Sequence, residues 1–311
     1  MDYLTNLAVL DRVLASGEII WTDEEQKNTP REQLREVNHG IWNRTIAQFD
    51  QLPLWEGEVP GWREDGDQPR PSLIFFPAAG EQLRGTVIVS HGGGFVMRAG
   101  HEGFHTARRF LDLGFNVAVL TYRLAPYTRM DALADIQRAV RLLRANRERL
   151  HISDRIALLG YSAGGMLSAN GATHYDAGNP QADDPVERQS CRPDAAVLCY
   201  GAFAMASFPG RLFENPFGDG RAERVYLAAE KNITTDTPPF FIWQTISDDP
   251  RHGLAFAKEL SDYGVPFELH IFPDGKHGVG LADGNNDCCE CFPHLAHWSA
   301  LAGEWLTMQG L

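Results

Sequence analysis

Gly160, Ser162 and Gly164 stand in the run GYSAGG, directly after the apolar segment RIALLG. A serine hydroxyl is a weak nucleophile that needs exposure and an adjacent base. A sharp turn from strand to helix supplies the exposure, and it crowds the positions two before and two after the serine, where glycines relieve the clash. Among the eleven histidines, His277 lies in HIFPDGKHGVGL, a glycine-bounded loop after an apolar run. An imidazole of pKa ~6.5 accepts and returns a proton near neutrality. An acid must orient that ring, and QTISDDPRHG offers Asp248 and Asp249. Asp248 leaves the strand-like run first and is the expected acid; Asp249, before Pro250, is read as a cap of the next helix. The chain order Ser162, Asp248, His277 is the one expected of such a constellation on an α/β sheet.

SHGGGF (90–95) raises a second possibility, because a glycine turn after a strand can cradle phosphate or aim backbone N–H groups at an oxyanion. The Lys-Ser/Thr of a phosphate loop is missing. The oxyanion reading therefore holds, with His91 and Gly92 shaping the turn.

Elements able to position these residues alternate along the chain. Strand-like runs fall at 72–78, 85–93, 116–122, 155–160, 194–200, 239–246 and 267–272. Amphipathic helical stretches separate them, near 130–149, 252–263 and 293–309 among others. The order implies an α/β fold with a mainly parallel sheet covered on both faces and its ligands at the strands' carboxyl ends. Residues 1–59 read as an N-terminal helical segment and linker packing on a main domain at 60–311, with Thr29 capping and Pro30 opening its second helix. The Gly/Pro/Phe-rich interruption at 204–238, roughly 35 residues, is long for a connection and is read either as a small lid or as a structural insertion away from the ligand.

The formal net charge of −13 disfavours nucleic acid and anionic lipid as partners. RAVRLLRANRERL (138–150) is expected to present its arginines on a solvated helix face. No stretch approaches a membrane span or a signal peptide, so a cytoplasmic protein is expected. Five cysteines, three in CCEC (288–291), do not form a disulfide framework; Cys288 and Cys291 have C-x₂-C spacing with His294 and His297 downstream, but a loop with incidental thiols is expected rather than a metal site.

HGGGF, YRLAP (122–126), GYSAGG and KHGVGLA (276–282) together resemble the α/β-hydrolase superfamily, and more narrowly bacterial esterases of the hormone-sensitive-lipase and acetyl-esterase type. WEGEVPGW (55–62) and GVPFELHIFPDGKHGVGLA are similar to acetylxylan-esterase-like or feruloyl-esterase-like members. The resemblance implies a Ser162–Asp248–His277 triad and an oxyanion hole of the Gly93, Gly94 and Ala163 amides, without metal or organic cofactor. DDPRHG departs from the Asp-x-x-Val-Pro of many relatives at the acid loop. The implied activity is hydrolysis of short acyl esters, of which acetylated sugars are one class. Phe95, Tyr161, Phe203 and Val279 are candidate pocket residues. His101 and Glu102 are read either as contacts to a polar alcohol or as a solvated helix start. An amidase such as an arylformamidase, or a binding protein on the same scaffold, is the alternative.

Overall fold

The computed structural model describes residues 3–63, 68–80, 82–208 and 221–311. Eight strands form one sheet: β1 (Gln51–Pro53), β2 (Ser72–Phe76), β3 (Thr86–Ser90), β4 (Asn116–Thr121), β5 (Ile156–Tyr161), β6 (Ala195–Cys199), β7 (Phe240–Thr245) and β8 (Phe267–Phe272). Their order is β1-β2-β4-β3-β5-β6-β7-β8. β2 runs antiparallel to both β1 and β4, and every pair from β4 to β8 is parallel. The helices are α1 (Leu4–Ser16), α2 (Asp23–Asn28), α3 (Leu34–Ile46), α4 (Gly100–Asp112), α5 (Arg129–Ala145), α6 (Arg147–Leu150), α7 (Ala163–Thr173), α8 (Arg221–Tyr226), α9 (Arg251–Asp262) and α10 (Trp298–Met308).

Period-two alternation sends each strand's side chains into two separate cores. Leu73, Phe75, Ile88, Leu120, Leu158 and Leu198 lie in one core, while their neighbours Ile74, Phe76, Val87, Val119, Leu159 and Val197 lie in the other. Burial on both faces explains why these strands read as unbroken apolar runs. The three-residue β1 escaped sequence reading because QLP has neither length nor β-branching; its proline is tolerated on an edge strand.

The N-terminal segment packs on this sheet. Leu10, Val13, Trp42 and Ile46 join the second core. Asn6 Nδ2 donates to Phe75 O at 3.1 Å. The expected helix start at Thr29 is corrected: Thr29 follows α2, and α3 begins at Leu34. The capping signal lies earlier, where Thr22 and Glu25 form a reciprocal box on α2.

The solvated arginine face is corrected for Arg138, Arg141 and Arg144, while Arg147 and Arg149 are exposed as expected. Arg138 and Arg141 are buried on α5. Arg138 pairs with Asp184 and Glu187, each at 2.6 Å, and Arg141 with Asp176 at 2.7 Å. Arg144 reaches Asp194 at 3.0 Å. The excursion between α7 and β6 covers these arginines with its own carboxylates, which stand some forty residues away in sequence. Part of the interruption at 204–238, and part of the connector at 60–72, lie outside the described residues; the described flanks of the former include α8 and Glu230, which accepts from the Ala206 and Ser207 amides. Among the described residues no helix is long and apolar enough to cross a membrane.

Candidate active site

Chain order reverses across the sheet at β3 and β5, and the crevice outside the carboxyl ends of such strands is where α/β sheets bind ligands. Four of five adjacent strands deliver expected residues to that edge, and the fifth, β6, brings Tyr200, which the sequence reading did not single out. β3 leads into the glycine loop, β5 into Ser162, β6 into Tyr200, β7 into Asp248 and β8 into His277. Ser162 precedes α7 with φ 51° and ψ −117°, a conformation that non-glycine residues adopt only under constraint. The constraint is packing: a Cβ at Gly160 would lie 2.0 Å from Gly164 O, and one at Gly164 would lie 2.1 Å from Ser90 O. Only hydrogen at both positions lets the turn close against β3.

Ser162 Oγ lies 2.7 Å from His277 Nε2, and His277 Nδ1 lies 2.6 Å from Asp248 Oδ2. A carboxylate only accepts, so Nδ1–H donates to Asp248 and leaves Nε2 to accept from the serine hydroxyl. Burial works to lower the imidazole pKa, but the Asp248 hydrogen bond and charge, reinforced by the Glu102 charge, outweigh it and hold it above 6.5. Ser247 Oγ donates to Gly275 O at 2.5 Å, tying the acid loop to the base loop. Asp249 is engaged elsewhere, accepting from Arg251 Nε and Nη2 at 2.6 Å each and from the Arg251 amide at 3.3 Å.

Gly93 has φ 112°, and a Cβ there would meet Met97 O at 2.1 Å. The amides of Gly93, Gly94 and Ala163 donate to no other described residue, whereas Gly92 N–H is taken by Glu102 Oε2. His91 is fully buried and neutral: burial, then the Arg98 charge, drives its pKa well below 6.5. Arg98 donates to its Nε2 at 3.2 Å and its Nδ1–H donates to Gly92 O at 2.7 Å. Trp42 and Tyr122 hold the ring, with centroids 4.7 and 4.6 Å away.

The solvated helix start expected at His101 and Glu102 is corrected, because each is 2% exposed and spends its polar atoms on the protein, although both border the larger cavity beside Ser162. Glu102 accepts from Tyr200 Oη at 2.6 Å, and Tyr200 Oη accepts from the Gly280 amide at 2.9 Å. One buried carboxylate thereby links the glycine loop to the His277 loop. Burial raises its pKa, against the opposing effects of the His101 charge and its hydrogen bonds. His101 donates through Nδ1 to Asp287 at 3.0 Å and through Nε2 to Gly278 O at 2.9 Å. Burial would lower its pKa, yet Asp287, Glu102 and the Gly278 carbonyl together raise it to about 9.

Two cavities meet at Gly94, Ser162 and His277. The smaller, about 180 Å³, is mainly apolar and lined by Phe95, Met166, Tyr200 and Ala202 among others. The larger, about 570 Å³, is lined by Trp21, Asp23 and Gln26 from the N-terminal segment and by Met97, Lys276 and Cys288. Of the four candidate pocket residues Phe95 borders the smaller cavity, while Tyr161, Phe203 and Val279 are fully buried in the cores and line neither. Tyr161 turns to Thr106, with their hydroxyls 2.7 Å apart. The lining from residues 21–26 carried no motif, so nothing in the sequence pointed to it. Cys288, Cys289 and Cys291 are free thiols, and no described cluster of His, Cys, Asp and Glu is arranged to hold a metal ion.

The fold and this edge of the sheet define an enzyme of the α/β-hydrolase superfamily. Residues 73–250 match the BD-FAE family, and the chain belongs to it. It is 32% identical over 230 residues to endo-1,4-beta-xylanase B of Butyrivibrio fibrisolvens, a match covering 68% of this chain and 35% of that protein; the chain thus spans about a third of its length. The crystal structure of an acetyl ester-xyloside bifunctional hydrolase from Caldicellulosiruptor lactoaceticus is similar with a TM-score of 0.78 and 35% identity, covering 84% of this chain and 96% of that one. A sugar hydrolase from Lactococcus lactis is similar with a TM-score of 0.65 and 26% identity, covering 80% and 96%.

Proposed function

We propose that this protein is a serine carboxylesterase that removes short, acetyl-type acyl groups from sugars or xylo-oligosaccharides. The observation that carries the reading is the unbroken line from Ser162 Oγ through His277 to Asp248, at 2.7 and 2.6 Å, on a turn beside three unengaged amides. The acetyl-ester activity named for the Caldicellulosiruptor hydrolase supports the ester assignment, and the xylan-directed name of the Butyrivibrio protein supports a sugar as the alcohol.

His277 takes the Ser162 proton as Oγ attacks the ester carbonyl. The amides of Gly93, Gly94 and Ala163 stabilise the resulting oxyanion, an effect worth about 10²–10³ in rate per donor. Collapse breaks the bond to the alcohol oxygen, which leaves with the proton that His277 returns. Water, deprotonated by the same imidazole, then attacks the acyl-serine and releases the acid. The smaller cavity lies below the roughly 300–1,000 Å³ of common ligand sites, which suits a short acyl chain. Five free thiols support a reducing, cytoplasmic setting.

Hydrolysis of 4-nitrophenyl acetate by wild type and Ser162→Ala tests the assignment. Loss of activity in the variant is expected, and equal rates would overturn the reading. Asp248→Asn should lose far more activity than Asp249→Asn, and the reverse order would move the acid to Asp249.

A further inference from the structure

An ester has an acyl side and an alcohol side, and two cavities flank Ser162 and His277, the larger of them carrying more charged and hydrogen-bonding side chains. The smaller one suits the acyl group, which leaves the alcohol to the larger. Its walls differ from an ordinary entrance because residues 21–26 complete them. Thr22 and Glu25 cap α2, and the Asp23 amide donates to Asp287 O at 2.8 Å, so this rim is fastened beside the His277 loop. Gln26 donates its amide nitrogen to Trp21 O at 2.7 Å, which keeps its Oε1 as an acceptor. The Asp23 carboxylate accepts no hydrogen bond from another described residue. Lys276 Nζ spends one of its donors on Glu290 at 2.8 Å.

We propose that this cavity is the alcohol-side subsite and that it takes a neutral glycosyl unit of an acetylated oligosaccharide. The proposal rests on the serine-esterase reading. Met97 and the exposed edge of Trp21 supply apolar contact, Asp23 and Gln26 accept from hydroxyls, and Lys276 donates. Opposed charges on the rim balance each other, which favours an uncharged polyol over a charged alcohol. The N-terminal segment is thereby a specificity element of the site.

The test compares kcat/KM on monoacetylated xylobiose and on 4-nitrophenyl acetate for wild type and the Asp23→Ala/Gln26→Ala double variant, with Tm as the folding control. The ratio of the two is expected to fall at least about tenfold, mainly through KM for the sugar ester. In parallel, xylobiose should inhibit 4-nitrophenyl acetate hydrolysis competitively, and the double variant should weaken that inhibition about as much. An unchanged ratio with unchanged inhibition overturns the subsite. Wild-type activity on 4-nitrophenyl acetate with none on the sugar ester also overturns it, while leaving the esterase reading intact. No activity on either ester, together with no labelling of Ser162 by a fluorophosphonate, overturns both.

Discussion

At the scale of single residues, the site depends on groups that take no part in the proton transfer. Gly164 is one: a methyl there would sit 2.1 Å from Ser90 O, so Gly164→Ala must push the turn away from β3. A displacement near 1 Å can cost about 10² in rate, and kcat on 4-nitrophenyl acetate is expected to fall at least that far in folded protein. Glu102 is another, a positioning residue whose charge helps hold the His277 pKa above 6.5. Glu102→Gln retains an acceptor but removes that charge. The proton-binding form of His277 is then less favoured, so the acid limb of the kcat/KM–pH profile should move to lower pH. A role limited to packing would reduce kcat without moving the limb.

At the scale of elements, the α5 arginines act as a clamp. Arg138 and Arg141 bind the excursion that joins α7 to β6, at the amino ends of the strands and so at the opposite end of the sheet from Ser162. Their acidic partners are partly solvated and can rehydrate when released, so the loss is limited to charged hydrogen bonds and packing. Arg138→Met is expected to cost about 1–3 kcal/mol in urea denaturation and to leave kcat/KM on 4-nitrophenyl acetate close to wild type. A large loss of activity would show that the clamp reaches the catalytic edge.

At the scale of the whole molecule, segments far apart in the chain converge on one joint. Asn38 exchanges two hydrogen bonds with the Arg98 backbone, at 2.9 and 2.7 Å, and so braces the glycine loop from the N-terminal side. His101 on α4 meets Asp287 and Gly278 from the C-terminal loops. Its pKa is raised in the folded protein, so its stabilisation is complete below the unfolded value near 6.5 and is lost as pH rises through about 9. Wild-type Tm should therefore decline between pH 7 and 9.5 more steeply than that of His101→Gln. Parallel Tm curves would refute the linkage.

Local patterning determines much of this protein by itself. Apolar runs bounded by turns marked β2 to β8, and the spacing of Gly160, Ser162 and Gly164 marked the sharp turn, because both depend on neighbours within a few residues. Asp248 and His277 could be nominated because each directly follows a strand whose carboxyl end the alternation of elements had already oriented. Other features depend on partners distant in sequence. Burial of Arg138 and Arg141 requires the acids of the 176–194 excursion, and the roles of His101 and Glu102 require Asp287 and Tyr200. Tyr161, Phe203 and Val279 adjoin the site in sequence yet turn into the cores, since alternation of side chains on a strand or loop is resolved only by what packs against each face. Trp21, Asp23 and Gln26 carry no motif and reach the larger cavity only because the N-terminal helices fold back onto the sheet. Local chemistry is written in short stretches, whereas burial and cavity walls are properties of packing between them.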